Sequence, residues 1–212
     1  AAKDEGNILT RSINADLARY VKDTWQVESR LELEFEKLYR RLFFPSIRRG
    51  SAGARKRYAG VVDGEGGVEF VGMEVVRRDW TELAKNVQRE LYLRLFDGGP
   101  VLDFLRGYVR DLRSGELDDH LVYRKGLRKA LHEYTAITPP HVVAARKAKT
   151  PSRVVSYVIT TAGPEPLDNV QHELDREHYV QRQVRPVAEP VLDVMGLNFD
   201  RAIGDDRQLG LF

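Results

Sequence analysis

Along the 212 residues the spacing of polar and apolar side chains changes period several times, and each change marks an element. Leu9, Ile13, Leu17 and Val21 recur at i+4, with Tyr20 and Trp25 extending the stripe, which predicts an amphipathic helix near the N-terminus. The period then switches to two. Leu31, Leu33 and Phe35 alternate with Glu32, Glu34 and Glu36, which predicts a half-buried strand with carboxylates on its wet face. A further apolar run, "YRRLFFP", is stopped by Pro45. "RKRYAGVV" and "VEFVGMEVV" flank the glycine-rich "DGEGG", which reads as a hairpin loop between two strands. Residues 1–76 are thus expected to form a small α+β unit with an antiparallel sheet.

From Asp79 the period is helical. Asp79 occupies a cap position with Glu82 three residues on, so "DWTE" has the form of a capping box with Asp in the Ser/Thr role. Leu83, Val87, Leu91 and Leu95 form one stripe, broken by "DGGP", and Leu102, Leu105, Val109 and Leu112 form the next, ended by "SG". These two helices should pack as a hairpin. After the basic stretch "LVYRKGLRKALHEY", the prolines of "PPHVVAARKA" can start a helix, and "RVVSYVITT" reads as a strand. The last element begins near Asp175, with Val180, Val184, Val187, Val191 and Val194 as its seam and kinks expected at Pro186 and Pro190.

Composition changes this picture little, but charge placement changes it a good deal. With 42% hydrophobic and 31% charged residues the chain should fold. Its net charge of only +2 conceals an asymmetry. Between Arg40 and Gly60 stand Arg40, Arg41, Arg48, Arg49, Arg55, Lys56 and Arg57 with no acid, and a second acid-free span, Tyr134–Pro164, carries Arg146, Lys147, Lys149 and Arg153. Either could hold a polyanion. The absence of cysteine excludes disulfides, thiolate nucleophiles and cysteine-bearing metal sites, and fits a reducing compartment. His120, His132, His141, His172 and His178 have no spacing that puts two on one helical face, so no metal site is expected. Without a signal-peptide core or a membrane-length apolar run, a cytoplasmic location with no membrane partner is the expectation.

"RKRYAG", residues 55–60, offers the most specific chemistry. On a strand, Lys56 and Tyr58 would share one face while Arg55 and Arg57 share the other. An ammonium and a phenol side by side are two long-reach donors, suited to the minor groove, where every base pair presents acceptors in similar places. The plainer reading is a solvated basic strand with Tyr58 against a core edge, and spacing alone favours it.

Taken in order, "RKRYAG", "GMEVVRRDWTELAKNVQRELYLRLFDG", "GELDDHLVYRKGLRKALHEYTAITPPHVVAARKA", "TTAGPEPLD" and the terminal "QLGLF" resemble the C-terminal part of family B DNA polymerases of the bacterial DNA polymerase II type. The resemblance covers nearly the whole chain. It implies an α+β architecture in which residues 1–76 end a palm domain, a sheet with a helix, residues 77–204 form a mostly helical thumb, and residues 205–212 are a tail. It places "RKRYAG" against the minor groove at the primer end, and so assigns Lys56 and Tyr58 to duplex contact, with Arg55 and Arg57 beside them. Arg55 stands where the family usually has Lys, which keeps a donor. Arg77 and Arg78 would meet the primer backbone at the palm–thumb junction; a charged turn before a helix explains each singly almost as well. Arg124, Lys125, Arg128, Lys129, His141, Arg146 and Lys147 fall in segments that grip the duplex, some on phosphate and the rest solvated.

The same resemblance implies what this chain lacks. The family transfers nucleotides with two metal ions held by aspartates in "DFxSLYPS" and "YGDTDS" motifs. Neither motif occurs, and the one "DT", Asp23–Thr24, runs into Trp25 of the first helix. The chain would begin just after "YGDTDS", without fingers or exonuclease. No catalytic residue and no cofactor is expected in it, magnesium belonging to the parent enzyme, and alone it should not polymerise DNA. Gln208, Leu209, Leu211 and Phe212 resemble the peptide by which such polymerases hold the sliding clamp; without the resemblance, a tail folded on its own core would be preferred. Expected partners are primer–template duplex, a bacterial sliding clamp and the remainder of the polymerase. Whether replication, repair or lesion bypass is served stays open. Three alternatives remain: a separately encoded DNA- or clamp-binding accessory module, an RNA-binding structural protein on the same basic faces, and a metal nuclease using Glu32, Glu34 and Glu36.

Overall fold

A computed structural model describes residues 2–45, 56–64, 66–135, 138–150 and 152–205. The chain divides into two compact units, residues 1–42 with 60–67 and residues 43–59 with 68–212. With two small three-stranded sheets among many helices in the described residues, it is an α+β protein. No helix of the described residues is long and apolar enough to cross a membrane.

In the first unit, α1 (Ala2–Trp25) follows the predicted stripe, yet buries none of its residues: Leu9 is 61% and Trp25 58% exposed. The alternating segment after it is not the expected strand. Residues 31–36 have no assigned strand structure, and Leu31 and Leu33 are 66% and 50% exposed. A strand needs a second backbone to pair with, and here the partner is a side chain. The Asn14 amide donates to the Leu33 carbonyl and accepts from the Leu33 N–H, both at 2.8 Å. Nearby, Gly6 leaves room for the Phe35 ring, which a methyl group would meet at 2.5 Å. Glu32, Glu34 and Glu36 therefore sit on an irregular segment, and no three His, Asp or Glu groups among the described residues could hold a metal ion.

The first sheet has the order β1 (Tyr39–Phe43), β2 (Tyr58–Val62), β3 (Glu69–Val71), with β2 and β3 flanking the predicted hairpin connection. After β3, Gly72 adopts φ +63°, a left-handed conformation that side chains resist. Its bare Cα also admits the Lys56 carbonyl, which a Cβ would meet at 2.1 Å.

The second unit is built around a helical hairpin, α2 (Glu82–Asp97) and α3 (Val101–Ser114), each closed by a left-handed glycine, Gly98 and Gly115. Leu83, Val87 and Leu91 of α2 and Leu105, Val109 and Leu112 of α3 are buried as predicted. The cap differs from expectation. Thr81, not Asp79, starts α2, its hydroxyl accepting from the Ala84 N–H, because both carboxylate oxygens of Asp79 are taken by the Arg77 guanidinium at 3.0 and 2.8 Å.

The Thr81 hydroxyl also donates to Gln183 Oε1 at 2.8 Å. Gln183 belongs to the final helical run: α5 (Arg176–Tyr179), a π-helical turn over Val180–Val184 and α6 (Arg185–Val194), with α7 (Phe199–Ile203) beyond. The irregularity comes before the first proline of this run, and Pro190 lies within α6. Pro186 has no N–H to offer the Arg182 carbonyl, and the Gln183 side-chain amide donates to that carbonyl at 3.0 Å. Val180, Val184, Val187 and Val191 form the buried seam, but Val194 is 64% exposed.

The second sheet, β4 (Tyr123–Gly126), β5 (Val154–Thr160) and β6 (Gly163–Pro166), is antiparallel, with α4 (Pro140–Lys147) before β5. Three tyrosines fix it to α5, where the final helical run begins. Tyr123 faces Tyr157 across the strands at 5.2 Å and stacks on Tyr179 at 5.6 Å, and the Tyr179 hydroxyl accepts from the Ile159 N–H at 2.8 Å. Glu165 of β6, 3% exposed, accepts from the N–H groups of Gln171 and His172 and pairs with the His172 ring. The Gln171 amide first, then His172, hold its carboxyl below the usual range against the pull of burial. A depressed folded-state pKa stabilises at neutral pH and loses that contribution as pH falls from the ordinary glutamate range through the depressed value. Acid titration of stability should therefore be shallower for Glu165→Gln than for the native chain; equal acid slopes in urea unfolding would contradict this.

Candidate nucleic-acid interface

β4 carries its chemistry outward. Arg124 and Lys125 are exposed on a strand that Tyr123 anchors from within, and the Leu127 N–H donates to the Arg153 carbonyl at 2.8 Å, extending the ladder to the basic turn. In that turn the Arg128 N–H donates to the Tyr134 hydroxyl at 3.1 Å, and the Lys129 ammonium lies 5.0 Å from the centre of the Tyr134 ring. His141, 7% exposed at the start of α4, meets the same ring edge-on at 6.5 Å. Burial first, then the charges of Lys125 and Arg128, push the His141 imidazole below its ordinary pKa. Arg128, Lys129 and His141 thus form one cluster about Tyr134, with Lys125 of β4 close enough to act on the charge of His141.

Two more of the predicted basic residues lie on α4 but are engaged. The Arg146 guanidinium donates to the Tyr134 carbonyl at 2.9 Å and pins the loop before α4, while the Lys147 ammonium donates to the Pro164 carbonyl at 3.1 Å. Their charge remains at the surface; part of their hydrogen-bonding capacity does not. Beside the cluster lies a cleft of about 880 Å³, lined by Leu127, Leu131, Val155 and Leu167 and edged by Arg128 and Arg153.

The predicted residues of the first basic span are placed differently. Lys56 is exposed in a turn, and β2 begins only at Tyr58, so the two-residue alternation does not extend back to Lys56. Tyr58 is half-buried, its ring 5.8 Å from that of Phe44. The Arg57 guanidinium pairs with Glu74, a carboxylate only 5% exposed. Arg77 is bound to Asp79, which raises its pKa, whereas Arg78 is exposed beside it. Arg55 and the tail residues Gln208, Leu209, Leu211 and Phe212 lie outside the described residues.

Sequence spacing missed the acid that receives Arg57. Glu74 is 17 positions away and no periodicity joins the two. The one available signal was an acid set within the apolar run "GMEVV", which suggests a buried carboxylate in need of a cation.

Three comparisons bear on this arrangement. The model of the DNA polymerase family B matches residues 6–193. The chain is 42% identical to DNA polymerase II of Escherichia coli (strain K12), over 98% of itself and 28% of that protein. It is 34% identical to DNA polymerase 2 of Aeropyrum pernix, over 91% of itself and 24% of that protein. Among solved structures, the family B DNA polymerase from the hyperthermophilic archaeon Pyrobaculum calidifontis aligns with a TM-score of 0.60 at 29% identity, covering 87% of this chain and 25% of that one. The chain therefore spans about a quarter of the length of these relatives. With the family model running through most of the sequence, and a relative's sequence and a solved fold agreeing with it, this chain belongs to the family B DNA polymerases.

Proposed function

We propose that this chain is the palm-end and thumb part of a DNA-directed DNA polymerase, that it holds primer–template duplex, and that its "QLGLF" terminus engages a sliding clamp. The observation that carries the reading is the convergence of Lys125, Arg128 and Lys129 on one anchored strand and turn, with Arg124 exposed on the same strand, in a chain of this family. Residues 1–76 would end the palm, 77–204 would form the thumb, and 205–212 the clamp-binding tail. Lys56, Tyr58 and Arg78 would join the cluster in meeting the duplex, while Arg77, Arg146 and Lys147 would offer phosphate whatever capacity their present partners leave. The aspartates and magnesium that perform nucleotide transfer would be supplied by the remainder of the polymerase. The share of this chain is then positioning, which matters because the primer end must be held in near-attack geometry.

Phosphate contact makes affinity steeply salt-dependent. Fluorescence anisotropy with a primer–template duplex between about 50 and 200 mM salt should show log affinity falling linearly with log salt. An RNA duplex should compete poorly, because its A-form grooves present different surfaces. Salt-independent binding, or preference for RNA, would overturn the duplex reading.

For the tail, three apolar side chains offer roughly 4.5–9 kcal/mol gross at ~1.5–3 each, much of it offset by ordering the segment. Binding to a bacterial sliding clamp of about micromolar strength should be measurable by calorimetry and should vanish in a variant ending at Arg207. A weak tether suffices when DNA contact by the same molecule makes the second engagement intramolecular. Equal binding by both forms, or by neither, would remove the clamp from this reading.

A further inference from the structure

We infer that Glu74 is a positioning residue: a buried carboxylate that holds the Lys56–Tyr58 segment in register against α2. This rests on the reading that Lys56 and Tyr58 meet the duplex. Glu74 lies between Met73 and Val75, which are 0% and 8% exposed, and a carboxylate there is costly unless both oxygens are used. Both are. One oxygen pairs with the Arg57 guanidinium; the other accepts from Gln88 Nε2 at 2.8 Å. Gln88, 1% exposed on α2, in turn accepts the Val75 N–H at 2.8 Å.

A continuous polar chain thus runs from Arg57 through Glu74 to α2. Arg57 stands between Lys56 and Tyr58, so anchoring its side chain inward fixes the backbone that presents both neighbours. The close approach of Gly72 to the Lys56 carbonyl constrains the same segment. Arg57 Nε is buried without a hydrogen-bond partner among the described residues, as is the Tyr92 hydroxyl, so the Glu74 carboxylate is what holds this guanidinium.

Glu74→Gln keeps the shape and the hydrogen bond with Gln88 but removes the charge that holds Arg57; Glu74→Asp keeps the charge and shortens the reach. Duplex affinity of the intact chain should fall about tenfold in Glu74→Gln and recover in large part in Glu74→Asp. The salt slope should be unchanged in both, because the number of phosphates neutralised stays the same. In an Arg57→Met background, adding Glu74→Gln should change affinity no further. A purely structural role would instead lower the urea midpoint of Glu74→Gln and leave the affinity of its folded fraction intact, and that result, or native affinity in Glu74→Gln, would overturn the inference. Lys56→Ala separates the two levels. If it binds as tightly as the native chain, the duplex reading of this segment fails; if it weakens binding while Glu74→Gln does not, only the positioning role fails. Should Glu74→Gln not fold, the comparison of Glu74→Asp with Arg57→Met carries the test: intermediate affinity for Asp supports the inference, and native affinity for both overturns it.

Discussion

Reversing the charge of Lys125 and Arg128 together, by Lys125→Glu and Arg128→Glu, is expected to weaken duplex binding on the order of 100-fold at about 0.1 M salt. A hydrogen bond to a charged group contributes roughly 1.5–3 kcal/mol, and each 1.4 kcal/mol is about tenfold in affinity. Removing two such hydrogen bonds therefore accounts for the change, before any repulsion between the new carboxylates and phosphate. The salt slope should become shallower by about 2, since each released phosphate removes about 0.9 from it. The fold should survive, because both side chains are exposed and the tyrosine stack beneath β4 is untouched. The same variant carries an internal check. Lys125 and Arg128 contribute to the lowering of the His141 pKa, so its titration followed by NMR should move upward when they are reversed. Arg110→Glu, on α3 with its partner Asp111, is the control and should leave affinity near native. A double reversal that shifts His141 but leaves duplex affinity intact would move the interface off β4.

Gly72→Ala is expected to cost about 2–4 kcal/mol of stability, measured by urea unfolding, which places it among the severe single substitutions. Two penalties combine. A side chain at φ +63° costs ~1–2 kcal/mol, and the new methyl would meet the Lys56 carbonyl at 2.1 Å, a backbone atom that cannot rotate away. Relief requires moving the turn that carries Lys56, so whatever fraction folds should also bind duplex less well. Gly98→Ala provides the contrast, with a similar φ of +72° but nothing within 4 Å of the new Cβ, and should cost only the conformational part. Equal costs for the two would show that the clash with Lys56 is readily relieved.

How legible these features were from sequence follows from their range. The α2–α3 hairpin announced itself, because leucines and valines at helical spacing between two glycine signals need only local rules, and the same holds for α4 and β5. Residues 31–36 misled because alternation reports a favourable face but not whether a second backbone is present to pair with it; Asn14 took that place from 19 positions away. The cap at Thr81 depended on a competition, for both oxygens of Asp79 are held by Arg77. At the candidate interface, the basic residues of β4 and α4 were visible as types in a motif. Which of them keep their donors free was not, since the pairings of Arg146 with Tyr134 and of Arg57 with Glu74 are tertiary and have no sequence period.

The division into two units has an optical consequence. The chain has two tryptophans, and they fall one to each unit: Trp25 at the exposed end of α1, and Trp80 half-buried ahead of α2. Emission from Trp25 should be red-shifted and readily quenched by a soluble collider such as iodide, and that from Trp80 less so. Trp25→Phe would then leave a single fluorophore reporting on the unit that holds the basic cluster, so that the melting of this unit, and any shielding of Trp80 by added duplex, can be followed without interference from the other.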